Sequence, residues 1–199
     1  NNEKNLQWIN EKNWIYRCDF IPEKGILNKK NQVIYFEGID TYADIFLNKE
    51  KILSSNNMFH PWEAEISNLL KNGKNELEIY FRSPIDEVSD QMHQLNYQLP
   101  ADNDQAGKTS PFSRKAPFHY GWDWGPCFVT SGIWRNVSLI GWSHWNVIRS
   151  SITNCALEAN TAHLLLELEI VSEVDDEVSV VIEEPKAQIT IESSINLKN

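Results

Sequence analysis

From Asn75 to Phe81 the chain reads Asn-Glu-Leu-Glu-Ile-Tyr-Phe, so Leu77, Ile79 and Phe81 alternate with Glu76, Glu78 and Tyr80. A period of two puts the apolar set on one face of an extended strand and the polar set on the other. This is the signature of a half-buried antiparallel strand. The pattern recurs where Trp62, Ala64 and Ile66 alternate with Glu63 and Glu65, and again at Val137 and Leu139. Asn, Gly and Pro turns separate these segments, and many short strands joined by turns predict an all-β sandwich. Between about Pro84 and Pro117 the periodicity fails for longer than an ordinary connection allows, which marks a functional or mobile loop. Residues Asp86 to Gln94 are expected to form one or two helical turns within it. After Trp142 the alternation resumes at Leu164, Leu166, Leu168 and Ile170. Val178, Val180 and Ile182 follow an Asp175-Asp176 turn, and Ile189 and Ile191 begin another strand.

Composition narrows the function. With 41% hydrophobic residues the chain can bury a core, and no apolar run approaches the length a membrane helix needs. A formal net charge of −10 repels phosphates, so neither nucleic acid nor an anionic membrane surface is an expected partner. A neutral sugar is indifferent to that charge. Cys18, Cys127 and Cys155 are odd in number and far apart, giving no disulfide framework and no metal-ligand spacing. No metal or cofactor is expected. There is neither a signal peptide nor an initiator Met, so Asn1 reads as a cloning or processing boundary. The compartment stays open, with the periplasm or the exterior favoured over the cytoplasm.

The chemistry concentrates between Arg114 and Pro126, in Arg-Lys-Ala-Pro-Phe-His-Tyr-Gly-Trp-Asp-Trp-Gly-Pro. A pyranose offers one apolar C–H face and a rim of hydroxyls. An indole stacks on the face, and a carboxylate accepts hydrogen bonds from adjacent hydroxyls. Gly121, Gly125 and Pro126 interrupt any regular strand, so Trp122 and Asp123 can leave two-faced alternation and serve one pocket. Tryptophans of an all-β domain otherwise belong to the core, and Trp8, Trp14, Trp62, Trp134, Trp142 and Trp145 are expected there.

This run resembles the signature segment of the β-mannosidases of glycoside hydrolase family 2. The likeness continues through Phe36-Glu37-Gly38-Ile39-Asp40-Thr41-Tyr42-Ala43 with Ile45, Leu47 and Asn48, through Asn57-Met58-Phe59, and through Gly73-Lys74-Asn75-Glu76-Leu77. It includes Thr130-Ser131-Gly132-Ile133-Trp134-Arg135, and at the start Leu6-Gln7-Trp8-Ile9 with Trp14-Ile15-Tyr16-Arg17. Residues from about 5 to 142 are covered in order. Three positions depart from the pattern. Cys127 stands where a basic residue is usual, which puts a contact from that position in doubt. Lys49 follows Asn48 where Gly is usual, placing a non-Gly residue at positive φ. Asn136 stands where Pro is frequent.

The resemblance implies a jelly-roll, galactose-binding-domain-like β-sandwich over 1–142, without its first strands. It also implies the start of an immunoglobulin-like β-sandwich over 143–199. Such a sandwich takes about 100 residues, so only part of it is expected here. By the same resemblance the parent protein is a retaining exo-β-mannosidase acting on terminal non-reducing β-D-mannose of an oligosaccharide. Its two catalytic glutamates lie on a C-terminal (β/α)8 barrel. No catalytic residue is assigned in this chain. Glu37, Glu63, Glu65, Glu76 and Glu78 read as solvated or capping residues. Trp122 would wall the mannose pocket and Asp123 hold ring hydroxyls, with Arg114, His119 and Trp124 in support. Arg114 and Lys115 can be read as solvated charges, but the resemblance favours Arg114 bracing the loop through a buried carboxylate pair, and His119 either donates to a hydroxyl or supports the loop. The barrel of the same chain is the expected partner. A free-standing carbohydrate-binding module and a purely structural interdomain module are the alternatives. Asp102 to Gly107 has the Asp, Asp and Gly of half an EF-hand loop, but Ser113 stands where a bidentate Glu is needed, so a surface loop is expected. The Asn136-Val137-Ser138 sequon lies on a predicted strand and is expected to be unused.

Overall fold

The structure is a computed structural model and describes residues 2–159, 161–184 and 189–198. It divides into two compact units, Asn1–Gly141 and Trp142–Asn199.

In the first unit the alternating segments become strands. A four-stranded antiparallel sheet is ordered β1 (Trp14–Phe20), β7 (Asn75–Phe81), β4 (Tyr42–Leu47) and β5 (Glu50–Asn56). A three-stranded sheet is ordered β6 (Trp62–Glu65), β2 (Asn31–Phe36) and β9 (Val137–Trp142). A short ladder joins β3 (Ile39–Asp40) to β8 (Gly132–Ile133). Strand β7 alternates buried and half-buried along its whole length, as its period-two sequence requires. Ile45, Leu47, Leu77, Ile79 and Phe81 of one sheet meet Ile34, Phe36 and Ala64 of the other, with Ile39, Ala43 and Ile66, in a single core. Full burial of each large aliphatic or aromatic side chain contributes about 1.5–3 kcal/mol, making this core the main driver of folding.

Tight polar devices close the turns. Asn48 and Lys49 connect β4 to β5 with φ values of 52° and 76°, the left-handed pair that a two-residue hairpin turn needs. Asn75 is fully buried, and its amide is completely satisfied. Its Oδ1 accepts from Lys71 N (2.9 Å) and Asn48 Nδ2 (2.9 Å), and its Nδ2 donates to Lys71 O (3.0 Å) and Gly73 O (2.9 Å). Asn48 in turn donates to Leu69 O at 2.8 Å and accepts from Glu76 N at 3.1 Å. The aperiodic stretch after Pro84 opens with the helix Asp86–Gln94, whose Val88 is buried. Arg82 ties that helix to β4 through Glu87 (2.7 Å) and Asp44 (2.6 Å).

Five expectations about burial need correction: Trp142 and Trp145 are only half-buried and belong to neither core cluster, and Trp8, Trp134 and Val137 are exposed. Trp8 is 48% and Trp134 44% exposed, so neither is core. Trp8 sits on the 3-10 turn Gln7–Ile9 and tilts against Trp14 at 5.8 Å, and Trp134 has the Arg135 guanidinium 4.2 Å from its ring centroid. Val137, at the start of β9, is exposed, whereas Leu139 packs on the core.

The second unit comprises two antiparallel hairpins, β10 (Trp145–Glu158) with β11 (Thr161–Ser172) and β12 (Asp176–Glu184) with β13 (Ile189–Leu197). Leu166, Leu168 and Ile170 are half-buried while Leu164 is exposed, and among the described residues of this unit none is fully buried. Among the described residues the chain is all-β apart from short helices.

The Asn75 amide makes a sharp stability prediction. Asn75→Ala strands two donors and two acceptors in a buried turn, and each unsatisfied buried group costs about 1–3 kcal/mol. Urea unfolding of the variant is expected to show an unfolding free energy lowered by at least about 2 kcal/mol, read as a lower midpoint at unchanged m-value. A loss below about 0.5 kcal/mol would show that the turn relaxes to water and that Asn75 is not its keystone.

Candidate functional site

The site is built from its base upward. Pairing of Asp40 with Gly132 fixes the start of the family-like FEGIDTYA segment against the TSGIWR segment. Gly38 and Trp134 complete the junction: Trp134 N donates to Gly38 O at 3.2 Å, and a Cβ on Gly38 would fall 2.5 Å from the Trp134 indole nitrogen. Asp40 is buried, and so is Lys115, whose side chain has 0% exposure. The Lys115 ammonium ion-pairs with the Asp40 carboxylate, which also accepts from Thr41 Oγ1. A second ammonium proton goes to Thr130 O at 2.5 Å. Burial pushes the Lys115 pKa below the ordinary lysine value while Asp40 pulls it up. A lysine without that carboxylate would shed its proton in such a place.

His119 stands over the same pair. Its Nε2 lies 4.0 Å from Asp40 Oδ2 and its Nδ1 lies 3.3 Å from Phe128 O. A carbonyl can only accept, so Nδ1 carries the proton and Nε2 is left as an acceptor. Burial first and the Lys115 charge second push the His119 pKa down, which keeps the ring neutral at physiological pH.

The loop leaves this base along a fixed track. Met58 N donates to Arg114 O at 3.0 Å and Ala116 N to Met58 Sδ at 3.0 Å, so the Asn57-Met58-Phe59 motif clasps the incoming strand. A 3-10 turn, Pro117–Tyr120, follows and ends at Gly121 with φ 94°. No Cβ is tolerated there: it would be strained, 3.0 Å from Gln105 Nε2 and 3.2 Å from Cys127 Cβ. Tyr120, Cys127 and Val129 form a small second core with Ile85 and Ala106, and the Ser113 hydroxyl lies against the Tyr42 and Tyr120 phenols. Gln105 binds the loop from outside, with its N on Tyr120 O (2.8 Å) and its Nε2 on Trp122 O (2.9 Å). Trp122 N closes a turn onto Gly125 O at 3.2 Å.

That turn holds its aromatic rings out. Trp122 is 40% and Trp124 81% exposed, with centroids 5.3 Å apart in an edge-to-face arrangement. With Phe118, His119, Phe128 and Thr130 they line an open cavity of about 670 Å³. Such a concavity, mostly aromatic with one neutral imidazole and a threonine, suits an uncharged ligand that has an apolar face. A second cavity of about 420 Å³ shares Phe118, His119 and Thr130 and extends to Tyr16, Phe59 and Trp134.

The structure brings Trp122, Trp124 and His119 together. Asp123 is exposed, accepts only from its neighbour Trp124 N (3.1 Å) among the described hydrogen bonds, and does not line the cavity beside it. Arg114 is exposed, and the expectation that it makes the buried carboxylate pair is corrected: its neighbour Lys115 does so. Asn57 bridges Arg114 through the backbone, and the next side chain therefore points inward. Cys127 points into the second core, with its N on Glu3 Oε1 (2.7 Å) and its O on Gln7 Nε2 (2.9 Å), and burial pushes its thiol pKa up. The 102–113 segment is organised by buried Asp104, which accepts from Ala106 N (2.7 Å) and Ser110 N (2.8 Å). The Lys108 ammonium occupies the Ala101 and Asp102 carbonyls at 2.7 and 3.0 Å. Among the described residues no group of three or more His, Cys, Asp or Glu is placed to hold a metal. Sequence reasoning missed Asp40 and Lys115. The available signal was an acid inside an otherwise apolar strand segment.

Residues 1–135 match the glycosyl hydrolase 2 galactose-binding domain-like family. The chain is 38% identical over 143 residues to β-mannosidase B of Thermothelomyces thermophilus and 33% identical over 144 residues to β-mannosidase of Mus musculus. Each alignment takes in 69% of this chain but 16% of the relative, so the chain spans about a sixth of the length of the curated proteins it matches. The crystal structure of a β-D-mannosidase from Dictyoglomus thermophilum superposes with a TM-score of 0.80 and 32% identity, covering 100% of this chain and 26% of that one. A β-glucuronidase from Bifidobacterium dentium, at TM-score 0.63 and 14% identity, covers 92% of this chain and 31% of that one and shares the fold. The chain thus belongs to the glycosyl hydrolase 2 galactose-binding domain-like family, with β-mannosidases as its sequence relatives.

Proposed function

We propose that this chain is the non-catalytic sugar-recognition part of a retaining exo-β-mannosidase, and that its signature loop completes the pocket for a terminal β-D-mannose. Residues 1–142 supply the jelly roll and residues 143–199 supply strands of an immunoglobulin-like sandwich. The observation that carries the reading is the placement of Trp122 and Trp124, exposed on a loop with a rigid base, beside the neutral acceptor His119. An indole held out in this way offers a stacking face to a pyranose. Asp123, solvent-facing at the loop tip, is free to take hydroxyl hydrogens when a barrel closes over it. The two carboxylates that retaining hydrolysis needs are about 5–5.5 Å apart, and these belong to the barrel rather than to any Glu here.

Two measurements test this reading. The purified 199-residue chain is expected to show no turnover of an aryl β-mannoside. It should bind mannose no tighter than millimolar, about 4 kcal/mol or less, because one open wall leaves the sugar largely hydrated. Micromolar binding by calorimetry would favour a free-standing binding module instead.

In the intact gene product, Asp123→Asn keeps the shape of the side chain but removes its charge. Charge-assisted bonds are worth about 1.5–3 kcal/mol each. The variant is expected to lose at least about tenfold in kcat/KM, roughly 1.4 kcal/mol. Its melting temperature should hold, since Asp123 is exposed. Full activity in the variant, or activity lost only through unfolding, would reduce the Trp-Asp-Trp run to scaffold.

A further inference from the structure

We infer that Lys115 and Asp40 are positioning residues for the sugar pocket: one ammonium staples the two ends of the signature loop together and onto strand β3, setting the His119 and Thr130 wall relative to Trp122. This rests on the reading of the 670 Å³ cavity as the mannose site.

The geometry is specific. Lys115 begins the loop, and its Nζ donates to the carbonyl of Thr130, 15 residues on, at 2.5 Å. The same ammonium is paired with Asp40, which is held in the β3–β8 ladder opposite Gly132. Thr130 and His119 both line the cavity, and the His119 ring is tied on one side to Phe128 O at 3.3 Å and stands 4.0 Å from Asp40 on the other. One wall of the cavity is therefore one interaction away from the ammonium. Another part of the lining, the Trp122–Gly125 turn, is held separately through Gln105. The relative placement of the two parts depends on where the loop ends meet.

Stability alone is a poor reason for such a pair. Apolar side chains of similar volume in place of a buried ion pair are often neutral or stabilising. What they lack is direction: an ammonium aimed at a carboxylate and a carbonyl fixes distances, whereas apolar contacts can slide. A pocket that must hold a ring against an indole needs that fixity, because small misplacements weaken binding and transition-state contacts alike.

The experiment uses the double variant Lys115→Met/Asp40→Asn, because either single change leaves one buried charge unpaired and can unfold the domain. Amide hydrogen exchange of this chain is read first. Exchange across 117–130 is expected to rise at least about tenfold while 75–81 keeps its protection. In the intact gene product, kcat/KM for an aryl β-mannoside is expected to fall at least about tenfold at a melting temperature close to that of the parent. Adding Asp123→Asn to the double variant should then cost less than it does in the parent. Unchanged exchange in 117–130 overturns the inference. So does raised exchange with unchanged kcat/KM, which would mean that the staple orders the loop without setting the pocket. A parent protein that hydrolyses no β-mannoside would overturn the mannosidase reading, and the exchange data would still decide whether the staple exists.

Discussion

A lysine side chain with no exposed surface keeps its charge only beside a carboxylate, because the effective penalty for moving an ammonium out of water is several kcal/mol. In this domain Lys115 meets that condition through Asp40, and most of the site follows from it. Asp40 must sit inside the sheet junction, so β3 and β8 must pair. Lys115 must enter from the loop, so Met58 must hold the strand that delivers it. A second ammonium proton reaches Thr130 and closes the loop. The ion pair adds little to stability compared with the hydrophobic core, yet it determines which backbone segments lie next to each other.

Motif pieces that are scattered along the chain turn out to be halves of contacts. Gly38 exists to admit Trp134, and Gly132 faces Tyr16, whose hydroxyl oxygen would lie 2.9 Å from any Cβ placed there. Asn75 completes the turn that Asn48 begins. Each glycine allows a close approach, and each asparagine replaces water at a buried backbone group. The sheets then need only the generic alternation of apolar residues to seal the core, leaving the specific residues to the places where loops join it.

This division explains what could be read from the sequence. Strands β6 and β7, the helix at 86–94 and the positive φ of Lys49 all follow from local periodicity or turn chemistry, which a linear chain displays. The Asp40–Lys115 pair spans 75 positions and has no period to betray it. Choosing between Arg114 and Lys115 as the buried base is a question of parity. In a loop without alternation, parity is set by a distant backbone bridge to Asn57. Exposure of Trp8 and Trp134 was hidden for a related reason: indoles are usually core, and only the Arg135 stack and the 3-10 turn show these two at the surface. Trp122 was expected outside the core because glycines interrupt any strand there and because the run resembles a family signature, and the structure leaves both Trp122 and Trp124 exposed.

The contrast between the base and the tip of the loop has a thermodynamic logic. Exposed indoles cost solvation free energy in the free protein, and the adjacent pair Trp122 and Trp124 offers an apolar surface that a ligand can cover. Binding an oligosaccharide loses affinity for every side chain that must be ordered on contact, about 0.5–1.5 kcal/mol for each. With a base fixed by a buried ion pair and a tip whose turn is closed by Trp122 and Gly125, most of that ordering is complete before any ligand arrives. On the proposed reading, the net charge of −10 leaves a neutral sugar unopposed on its approach.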